Sequence, residues 1–221
     1  MSTKRLSLVL GVLVALIAAG AGTYYVLAVL PQRQAAARSY TKHLEDGREA
    51  LEVANDGSRA IIELKEASKI YPDRIEPRLL IARAYFKLQR FQEAIAALDA
   101  AETSPQTADE EARLDLERGR SFVARFVETQ NRRDMVEAKT SLEKAASHDA
   151  TKAEALFNLG TMYMARKTTA DRDKALSYWA DALKIDQDSE TAKRIKPVYD
   201  GLLQLKSEGA QEPPAAGGEE H

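Results

Sequence analysis

The chain has 221 residues, which leaves room for an N-terminal apolar segment and one folded domain rather than two. Its 32 basic and 34 acidic residues give a formal net charge of -2, and this near balance excludes electrostatic steering of nucleic acid. The absence of cysteine excludes disulfides, thiolate zinc sites and iron–sulfur ligation.

The N-terminal segment is uncharged over an unusual length. A short tail, residues 1–5, ends in Lys4 and Arg5, and residues 6–30 then contain no charged side chain. At ~1.5 Å per residue, a helix of this length exceeds the ~30 Å hydrocarbon core of a bilayer. We therefore predict a transmembrane signal-anchor helix over residues 6–30 that contacts membrane lipid.

A cleaved signal peptide is the alternative interpretation of this segment. Lys4 and Arg5 would form its basic start, residues 6–17 its apolar centre, and cleavage would follow Ala21. Hydrophobic sequence resumes at Tyr24 and continues to residue 30, which favours an uncleaved anchor with aromatic residues at the membrane interface.

Basic residues on the two sides of the span nearly balance, so the positive-inside rule gives little direction. The basic residues that follow the span are Arg33, Arg38 and Lys42. A very short N-terminal tail and a long C-terminal body favour a bacterial inner-membrane protein whose body lies in the periplasm. A body in the cytoplasm is the alternative.

A small-large-small signature recurs along the body, with alanine, a large apolar residue and alanine at i, i+4 and i+7. Its copies are Ala60-Leu64-Ala67, Ala94-Leu98-Ala101, Ala138-Leu142-Ala145 and Ala175-Trp179-Ala182. Successive copies are 34, 44 and 37 residues apart. Because small residues permit close helix crossings and large ones fill the gaps, the pattern predicts stacked helix hairpins.

The 34-residue interval, with the stretches AEALFNLGTMY at 153–163 and KALSYWADALKID at 174–186, resembles the tetratricopeptide repeat family. The stretches IARAY at 81–85 and QRFQEAI at 89–95 are similar to it as well. The resemblance implies an all-α fold, an α-solenoid of about four helix hairpins over residues 41–190. The four units would be residues 41–74, 75–107, 108–150 and 151–189.

Two units depart from the usual repeat length. In the third, polar residues 127–135 separate helices that normally meet in a tight turn, which indicates either longer helices or a protruding loop. In the fourth, the turn at 167–173 has three extra residues relative to the family pattern.

The segments that flank the repeats are shorter. Residues 31–40 are a juxtamembrane linker or helix, and residues 190–206 are predicted to form a capping helix with a kink or restart at Pro197. Residues 207–221 have too little apolar content to fold and are predicted to be disordered.

The sequence contains no recognisable catalytic or metal-binding constellation. His43, His148 and His221 lie far apart and have no acid or cysteine at a ligand spacing, and no glycine-rich phosphate loop follows a strand. The acidic run 109–111 begins a predicted helix, where acids favour the helix dipole. We therefore predict no enzyme, no cofactor and no metal.

The resemblance implies a peptide-binding groove lined by the first helix of each repeat. The family's groove positions correspond to Arg83, Phe86, Lys87, Arg120, Val123, Phe157, Asn158 and Thr161. The Asn158 amide would hold a peptide backbone, and the three basic residues would pair with acidic groups of the peptide.

These features predict a membrane-anchored scaffold or adaptor that binds other proteins in an envelope assembly, secretion or export complex. The alternative is a constitutive subunit of a larger membrane complex, whose transmembrane helix packs against other spans and whose Phe126 and Val127 form an interface. Ala18 and Gly22 would also allow two anchors to touch, so a homo-oligomer stays open.

Overall fold

The structure is a computed structural model that describes residues 23–101 and 107–209. Every regular element in these two ranges is helical, which confirms the predicted all-α class. A π-helical stretch, Tyr25–Val29, leads into the α-helices. The α-helices are Leu30–Glu52 (α1), Gly57–Ile70 (α2), Glu76–Lys87 (α3), Phe91–Asp99 (α4), Ala108–Thr129 (α5), Arg132–Ala145 (α6), Asp149–Met164 (α7), Thr169–Ile185 (α8) and Glu190–Gly209 (α9).

The predicted N-terminal tail, most of the anchor (residues 6–22) and the cleavage site lie outside the described residues, as does most of the predicted tail, residues 210–221. Across residues 23–101 and 107–209, none of the helices combines the length and the apolar character needed to cross a membrane. Residues 31–40, predicted as a linker or helix, are helical and belong to α1.

The chain divides into two compact units, Met1–Leu80 and Ile81–His221, and the boundary falls within α3. In the first unit, α1 packs along α2. The rings of Tyr40 and Tyr71 meet edge to face at 5.1 Å, and the Arg74 guanidinium lies 4.9 Å and 5.2 Å from their centroids. His43 Nδ1 lies 2.8 Å from Glu63 Oε2. This histidine, for which the sequence showed no metal or catalytic partner, therefore links α1 to α2.

Side-chain caps determine where five of the helices begin. In each case a side-chain oxygen just before the helix accepts a hydrogen bond from a backbone N–H of the first turn, which satisfies a donor that the helix leaves unpaired. The capping residues are Asp56 for α2, Thr107 for α5, Asn131 for α6, Thr168 for α8 and Ser189 for α9. The acidic run 109–111 lies in the first turn of α5, as predicted.

In the second unit, α5 packs on α6, α7 packs on α8, and α9 contacts both α7 and α8. The signature alanines are fully buried in every copy, and the large residue between them is buried as well. The predicted small-large-small positions therefore do form the helix contacts in both units.

Glycines opposite the large signature residues allow three pairs of helices to pack closely. A Cβ added to Gly47 would lie 2.6 Å from Leu64 Cγ, one on Gly119 would lie 2.5 Å from Leu142 Cγ, and one on Gly160 would lie 2.3 Å from two ring atoms of Trp179. No real Cβ tolerates such distances. The first helix of each pair thus presents bare backbone to the large side chain of the second.

Longer helices, and not a protruding loop, accommodate the polar residues 127–135. The helix α5 continues to Thr129, α6 begins at Arg132, and Gln130 turns the chain with a φ of 56°. Arg125 closes this long hairpin, because its guanidinium donates two hydrogen bonds, of 2.9 Å and 2.6 Å, to the buried Asp134 carboxylate.

Three details of the C-terminal half differ from the sequence prediction. Residues 169–173, predicted as part of a lengthened turn, form the first turn of α8, where the Thr168 cap holds them. The helix α9 is one element across Pro197, without a restart, and it continues through Gly209. Residues 207–209 are therefore helical, not part of a disordered tail, because the helix propagates beyond its last buried residue.

Gly160→Ala should lower the free energy of unfolding by about 1–3 kcal/mol, since its methyl group would collide with the Trp179 ring, a large, rigid side chain. Urea denaturation of the full chain in mild detergent, followed by circular dichroism, measures this change. The matched control is Gly201→Ala in α9, where an added Cβ would meet no atom within 4 Å beyond the backbone of its own helix turn. There the alanine should stabilise the helix by up to ~1 kcal/mol. Equal stability of Gly160→Ala and the unchanged protein would contradict the close contact.

Candidate binding groove

A groove of about 640 Å³ lies within the second unit. Three helices line it with the same i, i+3, i+4, i+7 pattern, which begins at Arg120 on α5, at Glu154 on α7 and at Thr191 on α9. Residues at this spacing share one helix face, so each of the three helices contributes one face to the groove. Its volume falls in the range of sites that enclose an organic ligand or part of a peptide.

The floor of the groove is apolar and belongs to the hydrophobic core. Phe157 and Trp179 are almost fully buried, and they pack with Ile195 of α9 in one cluster. The Trp179 indole N–H donates a 3.1 Å hydrogen bond to the Phe157 carbonyl, which satisfies the only polar atom of that ring. The groove floor is therefore held in place by the contact between α7 and α8.

The end of the groove near α3 and α4 is aromatic. Phe86 and Phe91 lie on either side of the turn between these helices, with ring centroids 5.4 Å apart, and Gln89 in that turn also lines the groove. The Arg120 guanidinium lies 5.0 Å from the centroid of the Phe86 ring. This cation–π contact joins the aromatic end to the α5 wall.

A buried carboxylate fixes the arginines beside the aromatic end. Glu117 is 3% exposed, and its Oε1 accepts a 2.5 Å hydrogen bond from Arg83 Nε. Arg120 Nη1 lies 3.2 Å from Glu117 Oε2 and 3.4 Å from Glu154 Oε1. The positive charge of Arg120 is therefore compensated within the unit.

Two polar side chains of the α7 wall bond to their own helix. The Asn158 side-chain amide donates to the Glu154 carbonyl at 2.7 Å, and the Thr161 hydroxyl donates to the Phe157 carbonyl at 3.0 Å. These donors consequently serve the α7 backbone.

The structure brings six of the eight predicted groove residues together. The six that line the groove are Phe86, Arg120, Val123, Phe157, Asn158 and Thr161. Arg83 and Lys87, both exposed, lie outside the lining. Arg83 and Arg120, predicted to pair with a peptide, both pair with Glu117. Peptide binding by these residues stays a prediction.

Sequence reasoning missed the α9 wall and the outer end of the α5 wall. The α9 residues that were not predicted for the groove include Arg194, Ile195 and Val198. On α5 they include Glu128 and Val127, the latter predicted only for the interface with a larger membrane complex. The sequence did carry a signal for the α9 wall, because residues 191, 194, 195 and 198 share one face of the predicted capping helix. The direction in which that face points depends on how α9 packs on α7 and α8.

Residues 54–116 match a family model described as tetratricopeptide repeat. This match supports the family resemblance over the segment from α2 into α5, and the all-helical structure is consistent with it. No curated protein matches the chain. In the part of the chain that the structure describes, no three histidine or acidic side chains are grouped so as to hold a metal ion.

Glu117→Gln should lower the free energy of unfolding by about 1–3 kcal/mol, because a neutral amide accepts from one guanidinium while its N–H₂ faces the other. Urea denaturation of the full chain in mild detergent measures the effect. Glu154→Gln is the control, since that carboxylate is 40% exposed and its 3.4 Å pair with Arg120 is screened by water. Equal losses for the two variants would show that the buried position of Glu117 has no special role.

Proposed function

We propose that this protein is a membrane-anchored scaffold whose repeat domain binds other proteins in an envelope assembly, secretion or export complex, and that it performs no catalysis. Tetratricopeptide repeats generally mediate protein–protein interactions, and the family is typically non-catalytic. The observation that carries the proposal is the open groove of the second unit, with an apolar floor and polar residues at its edges.

Two half-exposed valines support a binding role for the groove. Val127 of α5 and Val198 of α9 are 48% and 50% exposed, and both line it. Removing exposed apolar side chains beside a concave apolar floor from water is energetically favourable, and a bound partner would do so.

Exposed side chains before α1 support the anchor. Tyr24 and Leu27 are 68% and 73% exposed, Tyr25 is 43% exposed, and the helical path continues from this segment into α1. The Arg33 guanidinium lies 5.8 Å from the centroid of the Tyr25 ring. Aromatic and basic residues of this kind favour the interface between lipid and water. An anchor raises the local concentration of the repeats at the membrane, so that weak affinity suffices.

A constitutive subunit of a larger membrane complex is the second candidate, and the exposure of Val127 favours it equally. Phe126, the other residue predicted for that interface, is buried in the core and takes no part. Purification in mild detergent distinguishes the candidates, because a constitutive subunit keeps its partners in fixed ratio through salt washes. A scaffold that binds transiently loses them.

Val127→Glu should reduce partner recovery at least ~10-fold, because it places an unpaired carboxylate against an apolar partner surface. Quantitative mass spectrometry of proteins that copurify with the full chain measures this. The matched control is Ile185→Glu, since Ile185 is 49% exposed and lies outside the groove. Circular dichroism should show both variants folded. Equal recovery with the two variants would contradict a role for the groove.

The periplasmic orientation predicts that a cysteine in place of Ser207 reacts with a membrane-impermeant maleimide in intact spheroplasts. Because the natural chain has no cysteine, the introduced thiol is the only one present. Ser2→Cys is the control, and it should react only after lysis. The reverse result would place the repeats in the cytoplasm. If the measured mass of the mature protein corresponds to a chain that begins at Gly22, the N-terminal segment is a cleaved signal peptide and not an anchor.

A further inference from the structure

A second cavity lies at the edge of the second unit, where the turn between α5 and α6 meets the turn between α7 and α8. Its volume is about 360 Å³. The residues that line it come from both hairpins, and none of them is acidic: Phe126, Gln130, Arg132, Met135, Arg166 and Thr168. It shares no residue with the groove. A molecule bound there would therefore be separate from a partner in the groove.

Both arginines of this cavity keep capacity for a ligand. In residues 23–101 and 107–209, Arg132 makes no ion pair and no side-chain hydrogen bond. Arg166 Nη1 lies 3.3 Å from Oδ1 of the buried Asp171. Because a guanidinium has five N–H donors, this contact holds Arg166 in place and uses only part of its hydrogen-bonding capacity.

Basic residues outnumber acidic ones around the cavity. The two segments that enclose it, residues 125–137 and 165–172, contain six basic and four acidic residues. Two of the acids are buried and ion-paired with arginines. The other two are exposed: Glu128 lines the groove, and Glu137 lines an adjoining hollow beside Arg132. The surroundings of the cavity therefore favour an anion.

The other polar side chains of the lining already make hydrogen bonds. Gln130 Nε2 donates to the Val127 carbonyl at 3.2 Å, and the Thr168 hydroxyl donates to Asp171 Oδ2 at 2.6 Å. The two guanidinium groups are therefore the principal donors of the cavity. Arg132 is also the first residue of α6, and Thr168 caps α8, so the positive ends of two helix dipoles add to the charge of the arginines.

Two guanidinium groups in one cavity suit a phosphate better than a carboxylate. A carboxylate has two oxygens, and one guanidinium already binds both of them. A phosphate has more oxygens and can accept from two guanidinium groups at once. We infer that the cavity binds a phosphate group through Arg132 and Arg166, either the headgroup of an anionic phospholipid or a soluble phosphate compound.

Hydrogen–deuterium exchange of the full chain in lipid nanodiscs tests the site, because a bound ligand slows the opening of the segments that it contacts. One arm adds inorganic phosphate to nanodiscs of phosphatidylcholine, with sodium chloride keeping the ionic strength constant. The other arm replaces part of the phosphatidylcholine with phosphatidylglycerol, in a buffer without phosphate. Exchange over residues 126–135 and 165–170 should slow in at least one arm. Sodium acetate, which offers only a carboxylate, should act at least ~10-fold more weakly than phosphate.

Arg132→Glu should raise the concentration of phosphate, or of phosphatidylglycerol, that is needed for this slowing at least ~10-fold, because a repulsion replaces a charge-assisted hydrogen bond. The variant should stay folded, since an acid in the first turn of α6 favours the helix dipole. The matched control is Lys144→Glu, an equal change of charge at an exposed residue in the last turn of α6, outside the cavity, and it should respond as the unchanged protein does.

Slowing with inorganic phosphate would assign the cavity to a soluble phosphate, and slowing only with phosphatidylglycerol would assign it to a lipid headgroup; either supports the site. Three results would overturn it: no slowing in either arm, equal slowing by acetate and phosphate, or equal responses of Arg132→Glu and Lys144→Glu. The comparison of Val127→Glu with Ile185→Glu measures the groove separately, so failure of the phosphate site and failure of the proposed function are distinguishable.

Discussion

The contact between a glycine on one helix and a large apolar side chain on the next is the constraint on which the described structure depends. It occurs three times, as Gly47 on Leu64, Gly119 on Leu142 and Gly160 on Trp179. At each place the missing Cβ lets a side chain lie directly against a helix backbone. The buried alanines one turn before and after the large residue keep the approach close along the whole crossing.

The shape of the groove depends on this contact. Trp179 packs on Gly160 with its ring and donates to Phe157 with its indole nitrogen, so one residue joins two helices and also forms part of the groove floor. When α7 and α8 pack in this way, α9 can close the third wall through Ile195. The stability of the helix packing and the shape of the groove are consequently linked, and substitutions at the floor would alter both.

Ion pairing compensates the arginines beside the α5 wall of the groove. Glu117, buried behind the α5 wall, accepts hydrogen bonds from both Arg83 and Arg120 and holds the two side chains in place. A buried carboxylate between two guanidinium groups has low tolerance for neutral replacements, because at least one arginine would lose its acceptor.

Local pattern was sufficient for much of this protein. Alanine, a large apolar residue and alanine at i, i+4 and i+7 predicted the helix contacts, and the acidic run 109–111 marked the start of α5, because helix starts and close crossings depend on residues near in sequence. Family positions on α5 and α7 identified residues that do meet in the groove, since one helix face is fixed by spacing alone.

Contacts between distant residues were decided only by the tertiary structure. The pairing of Arg83 with Glu117 joins residues 34 apart, and no local pattern distinguishes it from an arginine available to a partner. The α9 wall depends on the angle at which a single helix packs on two others. The sequence by itself determined which faces of the helices are apolar, whereas the packing of the second unit decided which of those faces form its core and which remain open to a partner.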